Sequence, residues 1–113
     1  LRREIMQSVI DGKVRPRCCY YCGSEYGLHE HHIFGGANRK LSEKYGLKVT
    51  LCWRDHNGDR GVHFDKKKMD EMQKEGQRAF ERAFIERRYR EDEMFYSVPA
   101  RERFLSIFGR NCL

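Results

Sequence analysis

The stretch LHEHHIFGGANRK, Leu28 to Lys40, places His29, His31 and His32 beside two adjacent glycines, Arg39 and Lys40. A packed core has no use for that mixture of imidazole, bare backbone and charge. Its first half, LHEHHIF, reads as a short strand, and strand side chains alternate between the two faces. His31 and His32 therefore point apart unless the backbone bends, and Gly35 and Gly36 directly downstream permit a bend. With the bend, one ring can bind an ion while its neighbour does other work in the same pocket. His29, a lone imidazole upstream, reads as structural.

On either side, the chain alternates short strands with helices. LKVTLCW (47–53) alternates apolar and polar residues as a half-buried strand does. Between the strands, GGANRKLSEKYG reads as a loop with a helical turn at KLSEKY, and RDHNGDRG (54–61) reads as a turn-rich connector. From Asp65, a potential cap, Met69, Met72, Gly76, Ala79, Phe80, Ala83 and Phe84 form one apolar stripe, which predicts a long helix to about Arg90. A last helix over 99–108 follows Pro99, with Phe104, Leu105, Ile107 and Phe108 as its buried face and Gly109 as its stop. Upstream, Ile5, Met6, Val9 and Ile10 predict an N-terminal helix over 2–11. The fold class expected is α+β, in a single domain over 1–113 with its core at about 17–90.

Cys19 and Cys22 sit on a Gly-containing turn as a C-x-x-C pair, and Cys52 lies at the end of the second strand. The five cysteines form an odd set, with Cys18, Cys19 and Cys22 crowded together and Cys112 far off. A secreted disulfide framework shows even counts, so a thiolate clamp in a reducing, cytoplasmic setting is the economical reading. Zn²⁺ suits such a clamp because thiolates are soft ligands and the ion accepts a tetrahedron readily. Asp55, at C-x-x-D spacing, and His56, at C-x-x-x-H spacing, are the alternatives for the fourth ligand, and Cys18 can replace Cys19. A thioredoxin-like redox pair is disfavoured because no parallel βαβ pattern surrounds the motif.

EHHIFGG followed by LKVTLCWRDHN resembles the core of the HNH endonucleases, also called ββα-metal or His-Me finger nucleases. The resemblance covers about 19–80 and rests on the clamp, the histidine pair and the third histidine together. In general style the chain also resembles small phage-encoded HNH proteins, which would place it in the cytoplasm of a bacterial host. The resemblance implies a hairpin and helix around one catalytic divalent ion, stapled by a Cys-ligated zinc. It makes His31 the first ligand of the catalytic ion, His32 the general base and His56 the second ligand, with His63 a third ligand or a phosphate contact. Cys19, Cys22, Cys52 and Asp55 would hold the structural zinc, Asp55 standing where the family has cysteine. The family's middle Asn falls near Leu47, so Asn38 or Asn57 must stand in. The implied reaction is hydrolysis of DNA to 5′-phosphate and 3′-hydroxyl ends, with Mg²⁺ or Mn²⁺ as the working ion and Zn²⁺ or Ni²⁺ also acceptable to imidazole.

Charge agrees with a polyanionic partner: 23 Lys and Arg stand against 17 Asp and Glu, a net +6. Arg39, Lys40, Arg54, Lys66, Lys67 and Lys68 gather near the expected centre as candidate phosphate contacts. They would confer salt-dependent affinity and little sequence specificity. No run is apolar enough to span a bilayer, and no secretory apolar segment stands near the start, so a membrane partner is not expected. Two other classes compete with the nuclease. One is a catalytically inactive, zinc-stabilised nucleic-acid-binding module. The other is an interaction protein whose C-terminal helices dock a recombination or replication protein.

Overall fold

The computed structural model describes residues 8–10 and 18–113. The fold is α+β, as expected. Strand β1 (Leu28–His32) pairs antiparallel with β2 (Lys48–Cys52) in a two-stranded sheet, with His29 opposite Leu51, His31 opposite Val49 and His32 opposite Lys48. Helix α1 (Arg39–Tyr45) lies in the connection, α2 (Trp53–Asn57) follows β2 directly, and α3 (Lys66–Ile85) and α4 (Ala100–Phe108) complete the chain.

The connection between the strands is closed from inside. Ser42 is fully buried; its hydroxyl donates to the Phe34 carbonyl at 2.7 Å and accepts from the Phe34 amide at 3.0 Å. Beyond it, the Ile33 amide donates to the Leu47 carbonyl at 2.9 Å, which extends the pairing past His32 and keeps β1 regular there. The glycine pair thus begins its bend only after both histidines. That is why the strand's alternation survives.

Helix α3 carries the core. Asp65 caps it, its carboxylate accepting from the Lys68 amide at 3.2 Å, and Met72, Ala79, Phe80, Ala83 and Phe84 are buried along one stripe. At Gly76 an added Cβ would lie 3.0 Å from Ile33 and 3.3 Å from Phe34, so the missing side chain lets α3 press against the exit of β1. Helix α4 locks the other side through Phe104 and Phe108, whose rings stack at 4.7 Å and meet Phe34 and Phe80. Burying such rings contributes about 1.5–3 kcal/mol each.

Three expectations need adjustment, and a fourth lies almost wholly outside the described residues. Helix α3 ends at Ile85, not near Arg90. Arg87 takes a positive φ of 53°, and the chain returns so that Tyr89 is buried and its hydroxyl donates to the Tyr45 carbonyl at 2.9 Å. The first half of the supposed connector RDHNGDRG is helical, because α2 begins at Trp53. Leu105 is 48% exposed, since α4 buries the four-residue spacing Phe104/Phe108 instead. The N-terminal helix over 2–11 falls outside the described residues except for Ser8–Ile10, which form a turn; the Ser8 hydroxyl donates to the Lys48 carbonyl and the Val9 amide to the Gly46 carbonyl. Among the described residues no helix is long and apolar enough to cross a membrane.

Candidate metal centres

The first centre forms where the 19–22 turn meets the end of β2 and the start of α2. Cys19 and Asp55 are buried, and Cys19 Sγ donates to Asp55 Oδ2 at 3.1 Å. Cys52 Sγ donates to the same oxygen at 3.3 Å, and Cys22 Sγ lies 3.7 Å from Cys52 Sγ. Cys52 and Asp55 are three residues apart, so the first turn of α2 sets both on one side. All four donor atoms lie within 4.8 Å of one another and can hold a metal ion. A tetrahedral ion with bonds of about 2.3 Å to sulfur would set its sulfur ligands roughly 3.8 Å apart, close to the Cys22–Cys52 separation. Burial pushes the Cys52 thiol up to about 11. Burial also favours the neutral form of Asp55, but hydrogen bonds from the Cys19 and Cys52 thiols outweigh it and hold the carboxyl below its ordinary value. A carboxylate kept ionised among thiols is a donor set prepared for a cation.

Of the alternatives for this centre, Cys19 and Asp55 are the ones the structure brings together with Cys22 and Cys52. Cys18 is exposed and lies outside the cluster, and His56 belongs to a different one.

The second centre is built from imidazoles. His31 projects from β1, His56 from α2 and His63 from the turn after it. One nitrogen from each lies within 4.8 Å of the others, and the ring centroids are 5.1 Å (His31–His56), 4.9 Å (His31–His63) and 4.5 Å (His56–His63) apart. His56 Nε2 and His63 Nε2 are 2.9 Å apart. His63 reaches this place because the chain folds back on α2: the Val62 amide donates to the Asp55 carbonyl and the His63 amide to the His56 carbonyl. Gly61 makes that possible, since a Cβ there would lie 2.8 Å from the His56 carbonyl carbon and oxygen.

His31 is 2% exposed, and its Nε2 is the buried side-chain polar atom that has no hydrogen-bond partner among the described residues. Such an orphan calls for an explanation, and a cation supplies one. Burial, then the His56 and His63 rings, hold the His31 imidazole down at about 3. Burial, then His63 and His29, lower His56 as well. Neutral imidazoles with free lone pairs are what an ion requires.

His32 does not join them. Its ring is on the opposite face of β1, with Nε2 3.0 Å from Glu43 Oε1, and Lys48 Nζ is ion-paired with the same Glu43 and lies 3.4 Å from Glu30. The expected shared pocket for His31 and His32 is therefore corrected: the regular strand keeps them apart. His29 takes the place beside His31 instead. Its Nδ1 lies 3.2 Å from His56 Nδ1. The two-residue step from His29 to His31 was the available signal.

Of the candidate asparagines, Asn57 lies at the centre, with Nδ2 3.3 Å from His56 Nδ1, whereas the Asn38 amide donates to the Phe108 carbonyl. Arg54 is exposed on α2, and Lys66 and Lys67 are exposed at the start of α3, flanking the His56–His63 turn. Lys66 pairs with Asp70 at 2.8 Å, and Lys68 is half-buried, donating to the Arg60 carbonyl at 2.6 Å. Arg39 and Lys40 open α1 and are exposed.

No family model, no curated protein and no solved structure matches this chain.

Proposed function

We propose that the protein is a metal-dependent endonuclease of HNH type that hydrolyses phosphodiester bonds in DNA. The observation that carries the reading is the convergence of His31, His56 and His63 around the orphaned His31 Nε2, beside a second, thiolate-rich centre. The Cys19, Cys22, Cys52 and Asp55 donors suit a structural Zn²⁺. Three imidazoles without a carboxylate favour Zn²⁺ or Ni²⁺ at the second centre over Mg²⁺ or Mn²⁺, which prefer oxygen. When bound, that ion would neutralise charge on the scissile phosphate and the departing 3′ oxygen, worth several kcal/mol of barrier.

The chain's own residues supply binding and proton handling. Arg54, Lys66 and Lys67 would fix phosphates near the centre. His32 is the base the resemblance implies. Its Nε2 hydrogen-bonds Glu43, which fixes the tautomer with Nδ1 bare. It does so on the face of β1 away from the three imidazoles, so action as their base requires the ring to cross to their side.

A second reading, a zinc-stabilised DNA-binding module without catalysis, draws on one observation: His32 faces Glu43 and Lys48, away from the three imidazoles. Nicking of supercoiled plasmid, abolished by EDTA and restored by added Zn²⁺, Ni²⁺, Mn²⁺ or Mg²⁺, tests the choice. The nuclease reading expects cutting by the wild type, lost in His31→Ala together with the second ion and in His32→Ala with that ion retained. Salt-sensitive binding without cutting under any ion selects the binding module, and unaffected cutting by His32→Ala removes it as the base.

A further inference from the structure

We infer that His29 is a positioning residue for the three-imidazole centre: by accepting a hydrogen bond at Nδ1 it holds His56 in the tautomer that can bind an ion through Nε2. This rests on the reading of His31, His56 and His63 as metal ligands.

The geometry gives His56 two opposed hydrogen-bonding patterns. A neutral imidazole carries one N–H proton, on either Nδ1 or Nε2. In the first pattern the proton is on Nε2, donating to His63 Nε2 at 2.9 Å, while Nδ1 accepts from the Asn57 amide at 3.3 Å. That tautomer cannot ligate at Nε2, because the lone pair there is occupied. In the second, the proton is on Nδ1 and donates to His29 Nδ1 at 3.2 Å, which frees Nε2 to face His31 and His63. His29 Nδ1 is the acceptor that makes the second pattern favourable, and its own proton then sits on Nε2. Ligating histidines depend on such outer partners for ring orientation and tautomer, and removing one costs about 10–100-fold in metal affinity.

The structure supports this role for His29 over that of a fourth ligand. His29 is not among the donors that converge within 4.8 Å, and its ring stands edge-on to His56 with centroids 5.4 Å apart and planes at 78°. Its place follows from strand geometry, since His29 and His31 share a face of β1 while Glu30 and His32 take the other. Cross-strand pairing of His29 with Leu51 fixes its height along the strand independently of α2. The acceptor is thus presented by the sheet, and the ligand by the helix.

The test measures metal binding without reference to cleavage. Co²⁺ is titrated into the metal-stripped full chain, with sulfur-to-cobalt absorption reporting the Cys19/Cys22/Cys52 centre and the second, sulfur-free equivalent reporting the imidazole centre. His29→Ala is expected to weaken the second equivalent by about 10–100-fold and leave the first unchanged. His29→Asn, whose side-chain oxygen can accept where Nδ1 did, is expected to recover most of the loss. Asn57→Asp in the His29→Ala background substitutes a second acceptor and is also expected to restore binding. Nitrogen-15 shifts of His56 in the zinc-loaded protein should report protonated Nδ1 and metal-bound Nε2. Equal second-site affinity in wild type and His29→Ala overturns the inference and leaves the metal centre standing. A wild type that binds only the thiolate-site ion overturns the centre and the inference together.

Discussion

Asp55 and His56 are consecutive residues of α2, and they belong to different donor groups. Asp55 accepts from the Cys19 and Cys52 thiols, while His56 meets His31 and His63 on the other side. Successive helical residues are turned by about 100°, so one short helix divides its side chains between the two groups. With Cys52 at its N-cap, α2 is held by the thiolate centre at its beginning and presents an imidazole to the second centre one turn later.

Ion binding at the two centres should therefore be coupled. Cys22→Ser removes an exposed thiolate without opening the core, and it is expected to weaken ion binding at the thiolate centre and reduce its sulfur-to-cobalt absorption, Cys19 and Cys52 remaining. The same variant should weaken the imidazole centre by about 5–150-fold, because an unanchored α2 no longer holds His56 in place. Linkage requires the reverse effect to match: with the imidazole centre filled, the wild type should bind its thiolate-centre ion more tightly than His63→Ala does, by the same factor. Independent titrations with unchanged affinities would show that α2 is rigid without its ion.

Gly61 makes a separate demand. Its missing side chain lets the chain return against the His56 carbonyl, where a Cβ would stand at 2.8 Å from backbone atoms. Backbone cannot swing aside as a side-chain tip can, so Gly61→Ala should push the His63 segment away from α2. Overpacking of this kind costs about 1–3 kcal/mol, measurable as a lower urea midpoint. The second cobalt equivalent should weaken more than the first, because His63 moves and Cys19 does not. Loss of both in parallel would indicate general unfolding.

Much of this arrangement was legible in the residues, and what was missed has a physical cause. Alternation in LKVTLC and the capped stripe from Asp65 are local patterns, and both elements begin where they predict. The C-x-x-C turn and Cys52 were readable as a thiolate clamp, whereas the choice between Asp55 and His56 depends on how α2 turns them and is not decided by spacing alone. The placement of His31 and His32 depended on where the glycine bend begins, and that is decided by Ile33 pairing with Leu47 and by the buried Ser42, neither of which has a local signature. The end of α3 was overextended because Tyr89 leaves the helix to reach the Tyr45 carbonyl, a contact between residues far apart in sequence. Helix α2 is too short to show a period, and only the shared duty of Cys52 and Asp55 could have suggested it.

The far face of β1 gives a prediction in pH. Burial alone would raise the Glu43 carboxyl, but hydrogen bonds from Lys48 and His32 outweigh it, and the group is held below its ordinary 4.5. A carboxyl whose folded value is depressed takes up its proton more readily in the unfolded chain. Its contribution to stability is thus present in full above the unfolded value and lost as pH falls through the folded one. Glu43→Gln keeps the shape and the acceptor oxygen but removes the charge, so it should lower stability at neutral pH and flatten the acid limb. The gap between wild type and variant, from urea unfolding at matched zinc, is expected to be constant above about pH 6 and to close steadily below about pH 4.5. The same variant should loosen His32, read as a change in its imidazole nitrogen shifts, while cobalt binding by His31, His56 and His63 stays intact. A gap that does not change with pH would mean that the Glu43 carboxylate is not held by Lys48 and His32, and that the tautomer of His32 is set elsewhere.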